Sequence, residues 1–156
     1  MVLNRQALES KLLQQLLAHP ELNLVIWSDE ELLASIKATL QQKSTDELWI
    51  FAYGSLIWNP LFDYLERRVV TIEGWQRQFC LVAPVGRGTI ANPGLVLGLE
   101  PGDRCQGIAY RLAVDDNLES ELLLLWRREM VIGSYVPTWI TATNGDRSLS
   151  IYAIAK

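Results

Sequence analysis

The stretch Leu48–Pro60 reads LWIFAYGSLIWNP. From Leu48 to Tyr53 it carries no charge and is rich in strand formers, and the run stops at Gly54-Ser55. A short apolar run bounded by a turn signal reads as a buried strand, although periodicity alone leaves a buried helix segment open. Glycine at the turn frees the backbone for positive φ and removes a side chain that would hold a ligand away. Successive N–H groups in such a turn converge into a concave anion site, with the Ser55 hydroxyl beside them. The plainer alternative is that Gly-Ser only ends a strand.

Upstream of this stretch, residues 3–18 read as one helix, with Leu8, Leu12 and Leu16 spaced by four and Pro20 soon after its end. A second helix opens at Ser28. Ser28 and Glu31 have capping-box spacing, and Leu32, Leu33, Ile36 and Leu40 form an apolar stripe. Lys43–Glu47 is a polar linker. The two helices read as a covering extension, residues 1–43, on a main domain of residues 44–156, and no chemistry is read in them.

Downstream the pattern is one of strands. Val69–Val82 is broken at Gly74, which predicts a bent strand or hairpin. Gly86-Arg87-Gly88 and Asn92-Pro93-Gly94 mark a long, mobile loop. Leu95–Leu99 is a short strand, Pro101-Gly102-Asp103 a tight turn and Cys105–Leu112 another strand. Asp115–Asn117 caps a helix running to about Met130. Tyr135–Thr143 and Leu149–Ala155 are strands joined at Asn144-Gly145-Asp146, a hairpin signal. Two leading helices, one internal helix and mostly strands indicate an α+β fold with a small mixed sheet or barrel.

Composition removes several function classes. A chain of 156 residues, 49% apolar, suits one domain with a packed core. With a net charge of −4 and no basic stripe interleaved with aromatics, nucleic acid is not an expected partner. No apolar run approaches the roughly 20 residues needed to cross a bilayer, so no membrane partner is expected. Glu9, Lys11 and several Gln interrupt the N-terminal apolar positions, unlike a signal peptide. Cys80 and Cys105 lie on separate predicted strands and fit a reduced, cytoplasmic compartment. A single histidine, His19 beside Pro20, leaves little from which to build a metal site or a Ser-His-Asp triad.

The helix Leu118–Met130 carries the most informative charge. At 100° per residue, Leu118, Leu122, Leu125 and Glu129 share one narrow face, while Glu119 and Glu121 fall away from it. An ionised carboxylate on an apolar face is costly, so Glu129 needs a partner or a raised pKa. A carboxylate with a raised pKa suits a general base near neutral pH. The structural alternative is a buried ion pair. Pairing with Arg127 or Arg128 is disfavoured because adjacent helical residues do not face each other, which leaves Arg111 or Arg87.

Ile50–Pro60 closely resembles the signature loop of the ChaC family of γ-glutamylcyclotransferases, with Ala52 where that family often has glycine. A second segment, Leu124–Glu129 followed by Gly133-Ser134-Tyr135, resembles the family's stretch bearing the catalytic glutamate. Gly74-Trp75, Gly86-Arg87 and Gly107–Leu112 are similar as well, and two separated motifs in the right order are more specific than either alone. The resemblance implies a γ-glutamylcyclotransferase-like fold and cleavage of glutathione to 5-oxoproline and cysteinylglycine without metal or cofactor. It implies Glu129 as general acid/base, and Ala52, Tyr53, Gly54, Ser55, Leu56, Ile57, Arg87 and Tyr135 as substrate-binding residues.

Two other readings stay open: cyclisation with another γ-glutamyl amine as substrate, and a non-catalytic γ-glutamyl-binding module. ChaC proteins continue beyond the position matching Ile154, so the family's C-terminal portion is expected to be absent from these residues. The alternation Leu149, Ile151, Ala153, Ala155 then predicts a half-buried edge strand, covered by the leading helices and by weak homodimerisation.

Overall fold

The computed structural model describes residues 3–145 and 147–155, the last strand for its backbone apart from Ser148 and Ser150. The described residues form four α-helices, α1 (Arg5–Glu9), α2 (Leu12–Leu17), α3 (Asp29–Gln41) and α4 (Leu118–Glu129), and five strands. The strands are β1 (Leu48–Ala52), β2 (Glu66–Ala83), β3 (Gly94–Leu112), β4 (Val136–Asn144) and β5 (Arg147–Ala155). They close into a barrel in the order β1-β3-β2-β4-β5. All neighbours are antiparallel except β5 and β1, which run parallel with Ile50 opposite Tyr152.

β1 explains why the opening stretch carries no charge: all five of its residues are buried. Successive side chains of a strand point to opposite faces. Leu48, Ile50 and Ala52 pack with Leu32 and Ile36 of α3 and with Leu122, Leu125 and Trp126 of α4. Trp49 and Phe51 face Val70, Ile72, Leu99, Ala109 and Ala142, which line the barrel interior. A strand covered on both faces reads as continuous apolar sequence rather than as alternation.

β2 and β3 form one long hairpin whose register shifts at Gly74, where φ is +80°. The bulge is the break expected there. The predicted turn at Pro101–Asp103 does not form, because β3 runs unbroken from Gly94 to Leu112. Pro101 pairs with Trp75 immediately past the bulge, where the ladder is already interrupted and a missing N–H is tolerated. The β2–β3 loop is pinched at its base. Cβ atoms at Gly88 and Gly94 would lie 2.1 Å from Gly94 N and 1.9 Å from Arg87 O, so this crossing needs two bare backbones.

The leading segment also differs from its reading. Residues 3–18 do not form one helix, since Ser10 ends α1 and Lys11 takes φ +58° before α2. This kink rotates α2 out of the spacing-by-four stripe. Leu8 and Leu17 are buried, whereas Leu12 and Leu16 are exposed. Lys11 and Arg127 both reach Asp29, at 2.6 and 2.8 Å, tying α2, α3 and α4 together. The capping box of α3 forms as its spacing predicts: Glu31 N–H donates to Ser28 Oγ at 3.2 Å and Ser28 N–H to Glu31 Oε2 at 2.8 Å.

At the other end, Asn144 pairs with Arg147 across a two-residue turn in which Gly145 has φ +59° and Asp146 lies outside the described residues. β5 pairs with β4 on one side and β1 on the other, so Leu149–Ala155 is not the edge strand expected from the sequence. That removes the reason given for homodimerisation. The side chains whose alternation motivated the expectation lie outside the described residues. Among the described residues, no helix is long and apolar enough to cross a membrane.

Candidate active site

The internal helix α4 sets its carboxylate at the very end. Leu118, Leu122 and Leu125 go into the core, and Glu129, the last helical residue, lines a cleft of about 730 Å³ with its side chain 15% exposed. Burial pushes the Glu129 carboxyl above the usual carboxylate range, while the neighbouring Arg128 charge acts in the opposite sense. The sequence argument against an adjacent ion pair fails here: Arg128 Nε lies 2.9 Å from Glu129 Oε1. That argument concerns the directions of Cβ atoms, and a side chain as long as arginine reaches round the helix end. Of the other candidate partners, Arg127 pairs with Asp29 and Arg111 with Glu66 at 3.2 Å, while Arg87 lines the same cleft.

The signature turn stands across the cleft from this helix end. Gly54 has φ −140°, so it does not take the positive φ expected of it. A Cβ there would touch Leu97 at 3.7 Å, an ordinary contact, so the glycine serves to leave the cleft floor bare. Ser55–Ile57 form a single 3-10 turn. Ile57 N–H donates to Gly54 O at 2.9 Å, and Asn59 N–H to Ser55 O at 3.0 Å. The N–H groups of Ser55 and Leu56 stand at the open N-terminal end, where helical backbone has no internal partner.

Two arginines grip this turn. Arg77 of β2 donates to Tyr53 O at 3.1 Å and to Gln106 O at 3.2 Å. In a trans peptide the N–H points away from the C=O, so holding Tyr53 O also fixes the direction of the Gly54 N–H. Arg128 Nη2 donates to Ser55 Oγ at 2.8 Å and Nη1 to the Asn59 carbonyl.

Tyr53 and Tyr135 complete the polar end. Burial raises both phenols well above their usual range, and the Glu129 charge acts in the same direction, so both remain protonated donors. Tyr135 donates to Leu97 O at 3.2 Å. Beyond them the wall is apolar: Phe79, Leu81, Val82, Leu95 and Leu97 come from the outer part of the β2–β3 hairpin. Leu13 and Leu17 of α2 form part of the opposite rim, so the segment in which no chemistry was read shapes the cleft.

Of the residues singled out in the sequence, Tyr53, Gly54, Ser55, Leu56, Arg87, Glu129 and Tyr135 line this one cleft. Ala52 is fully buried in β1, and Ile57 is packed against the core with its carbonyl accepting from Tyr110 OH at 2.9 Å; neither lines the cleft. Arg77 was missed, and Arg128 was weighed only as a partner of Glu129 and set aside. Arg128 follows another arginine, and only its helical phase relative to Glu129 distinguishes the two. Nothing in the local sequence marks Arg77, since its partners are the backbone carbonyls of Tyr53, just past β1, and of Gln106 in β3.

The chain is 48% identical over 116 residues to the glutathione-specific gamma-glutamylcyclotransferase of Escherichia coli (strain K12), covering 74% of this chain and 50% of that protein. It is 39% identical over 90 residues to the human glutathione-specific gamma-glutamylcyclotransferase 1, covering 56% of this chain and 40% of that protein. The chain thus spans half or less of the length of these curated relatives. Among solved structures it is similar to the yeast gamma-glutamyl cyclotransferase specific to glutathione, with a TM-score of 0.62 at 21% identity. That likeness covers 71% of this chain and 69% of the yeast chain and supports the fold. YkqA from Bacillus subtilis gives a TM-score of 0.56 at 20% identity, over 76% of this chain and 44% of that one. The family described as ChaC-like protein matches residues 48–152, from the first residue of β1 into β5, and the chain belongs to that family.

Proposed function

We propose that this chain acts as a glutathione-specific γ-glutamylcyclotransferase, releasing 5-oxoproline and cysteinylglycine. The observation that carries the reading is a buried, pKa-raised carboxyl, Glu129, sharing a cleft with the Gly54–Leu56 turn. The names of the relatives, which are glutathione-specific cyclotransferases, point to the same substrate.

The reaction is an intramolecular aminolysis. The α-amino nitrogen of the γ-glutamyl group attacks its own γ-carbonyl carbon, and the amide C–N bond to cysteine breaks. One proton leaves the attacking nitrogen for Glu129 and passes to the departing cysteine nitrogen, so no water is consumed. Such acid–base help contributes on the order of 10²–10⁴ in rate. The free N–H groups at the head of the turn would face the developing oxyanion, already oriented and free of reorganisation cost. Closing a five-membered ring needs the γ-glutamyl chain held bent, and a cleft with Tyr53, Ser55 and Tyr135 at one end would hold that conformer. Arg87, on the pinched loop, would meet the far half of the substrate. The apolar wall is compatible with a different leaving amine, and competition between glutathione and other γ-glutamyl amides ranks them. A reducing cytoplasm, where glutathione is a thiol, suits the thiols of Cys80 and Cys105.

Glu129→Gln tests the role directly. Glutamine keeps the shape and the hydrogen-bonding capacity but accepts no proton near neutral pH. Titration calorimetry should show glutathione bound, while turnover falls by about 10²-fold or more. A folded variant that keeps most of its turnover would remove Glu129 from the mechanism.

A further inference from the structure

Arg128 touches both halves of the cleft's polar end. Its Nε lies 2.9 Å from Glu129 on α4, its Nη2 is 2.8 Å from Ser55 Oγ, and its Nη1 reaches the Asn59 carbonyl past the turn. The side chain is 9% exposed. Three nitrogens of a rigid planar fork therefore hold three groups from two segments far apart in sequence. A lysine, with a single nitrogen on a flexible stem, cannot reproduce this geometry.

We infer that Arg128 is a positioning residue that fixes the Glu129 carboxylate in register with the signature turn and keeps it charged. The inference rests on the reading of Glu129 as the base. A carboxylate at the last position of a helix meets the negative end of the helix dipole, and burial adds to that cost. Other titratable groups stand near it. Tyr53 just past β1 and Tyr135 before β4 are neutral phenols, with the Cys80 thiol of β2 beside them. Arg87 belongs to the β2–β3 loop and also lines the cleft. Arg128 is the cation whose charge bears on Glu129, and it acts against the effect of burial. Held this way, the base is available before substrate arrives and stays in line with the turn that would hold the γ-carbonyl.

The experiment pairs two readouts on Arg128→Met and Arg128→Lys. Carbon-13 NMR of the Glu129 carboxyl, without substrate, gives its titration. The pH profile of kcat/KM for glutathione gives the acidic limb of activity. In Arg128→Met the Glu129 titration and the acidic limb should both move to higher pH, by about one to three units, the effect of one adjacent opposite charge. Arg128→Lys should keep most of the titration midpoint but lose kcat with little change in KM, because charge survives and register does not. If Arg128→Met does not fold, Arg128→Gln, which keeps donors without charge, carries the same two readouts. A folded charge-removing variant whose Glu129 titration and acidic limb match the wild type would overturn the inference. A moved titration in a protein that never acts on glutathione would sink the proposed substrate and leave Arg128's hold on Glu129 standing.

Discussion

Glu129 stands where folding alone would not put an acid: at the end of a helix, on its apolar face, mostly out of water. A carboxyl whose folded pKa is raised binds its proton more tightly folded than unfolded. Stability due to this group therefore increases as pH falls from neutrality through that pKa and is lost as pH rises. Glu129→Gln should accordingly raise the melting temperature at neutral pH, and the gain should shrink under mildly acidic conditions, where the wild type carries the proton itself. Thermal denaturation of both proteins at the two pH values checks it; equal or lower stability of the variant at neutral pH would show that the Arg128 pair outweighs burial. At this scale the sequence was legible where one residue type broke a pattern. Glu129 interrupts a leucine face and could be found by counting at 100° per residue. Arg77 could not, because it acts on backbone carbonyls that only tertiary structure brings near, and Arg128 was set aside because Cβ directions do not show how far an arginine reaches. Gly54 was noticed for a positive φ that it does not take, since its φ is −140°.

Local signals named most elements but misjudged their continuity. The capping box at Ser28 and the bulge at Gly74 followed from residue chemistry close in sequence. The single helix over residues 3–18 and the turn at Pro101 did not form, because distant partners decide both. Lys11 takes φ +58° and pairs with Asp29, and Pro101 lies opposite the strand that carries the bulge. Asp29 is the hub of this arrangement, and the Arg127 guanidinium holds its carboxyl far below the usual range. A depressed carboxyl contributes stability that is present above its unfolded pKa and lost as pH falls through the acid range. Asp29→Asn should destabilise the protein at neutral pH by about 1–3 kcal/mol, the worth of hydrogen bonds to a charged group. Urea denaturation should show that difference narrowing toward strongly acidic pH. No loss at neutral pH would mean that α2 and α3 dock on α4 without this contact.

For the whole molecule, closure of the barrel around β1 places the turn and the helix end on opposite sides of one cleft. Closure depends on how near β1 and β3 approach each other. A Cβ at Gly107 would lie 2.4 Å from Ala52 O and 2.7 Å from the Phe51 ring, and neither the strand backbone nor a fully buried ring can yield cheaply. Gly107→Ala should therefore cost about 1–3 kcal/mol by overpacking and disturb the turn two residues downstream of Ala52, a loss that chemical denaturation measures. The measurement that tests the account most directly is product analysis after incubating the 156-residue chain with glutathione. The account predicts 5-oxoproline and cysteinylglycine in equal amounts from the wild type, and release slower by about 10²-fold or more from Glu129→Gln. Free glutamate beside cysteinylglycine would mean hydrolysis rather than cyclisation, and no product at all from folded wild-type protein would contradict the proposed activity.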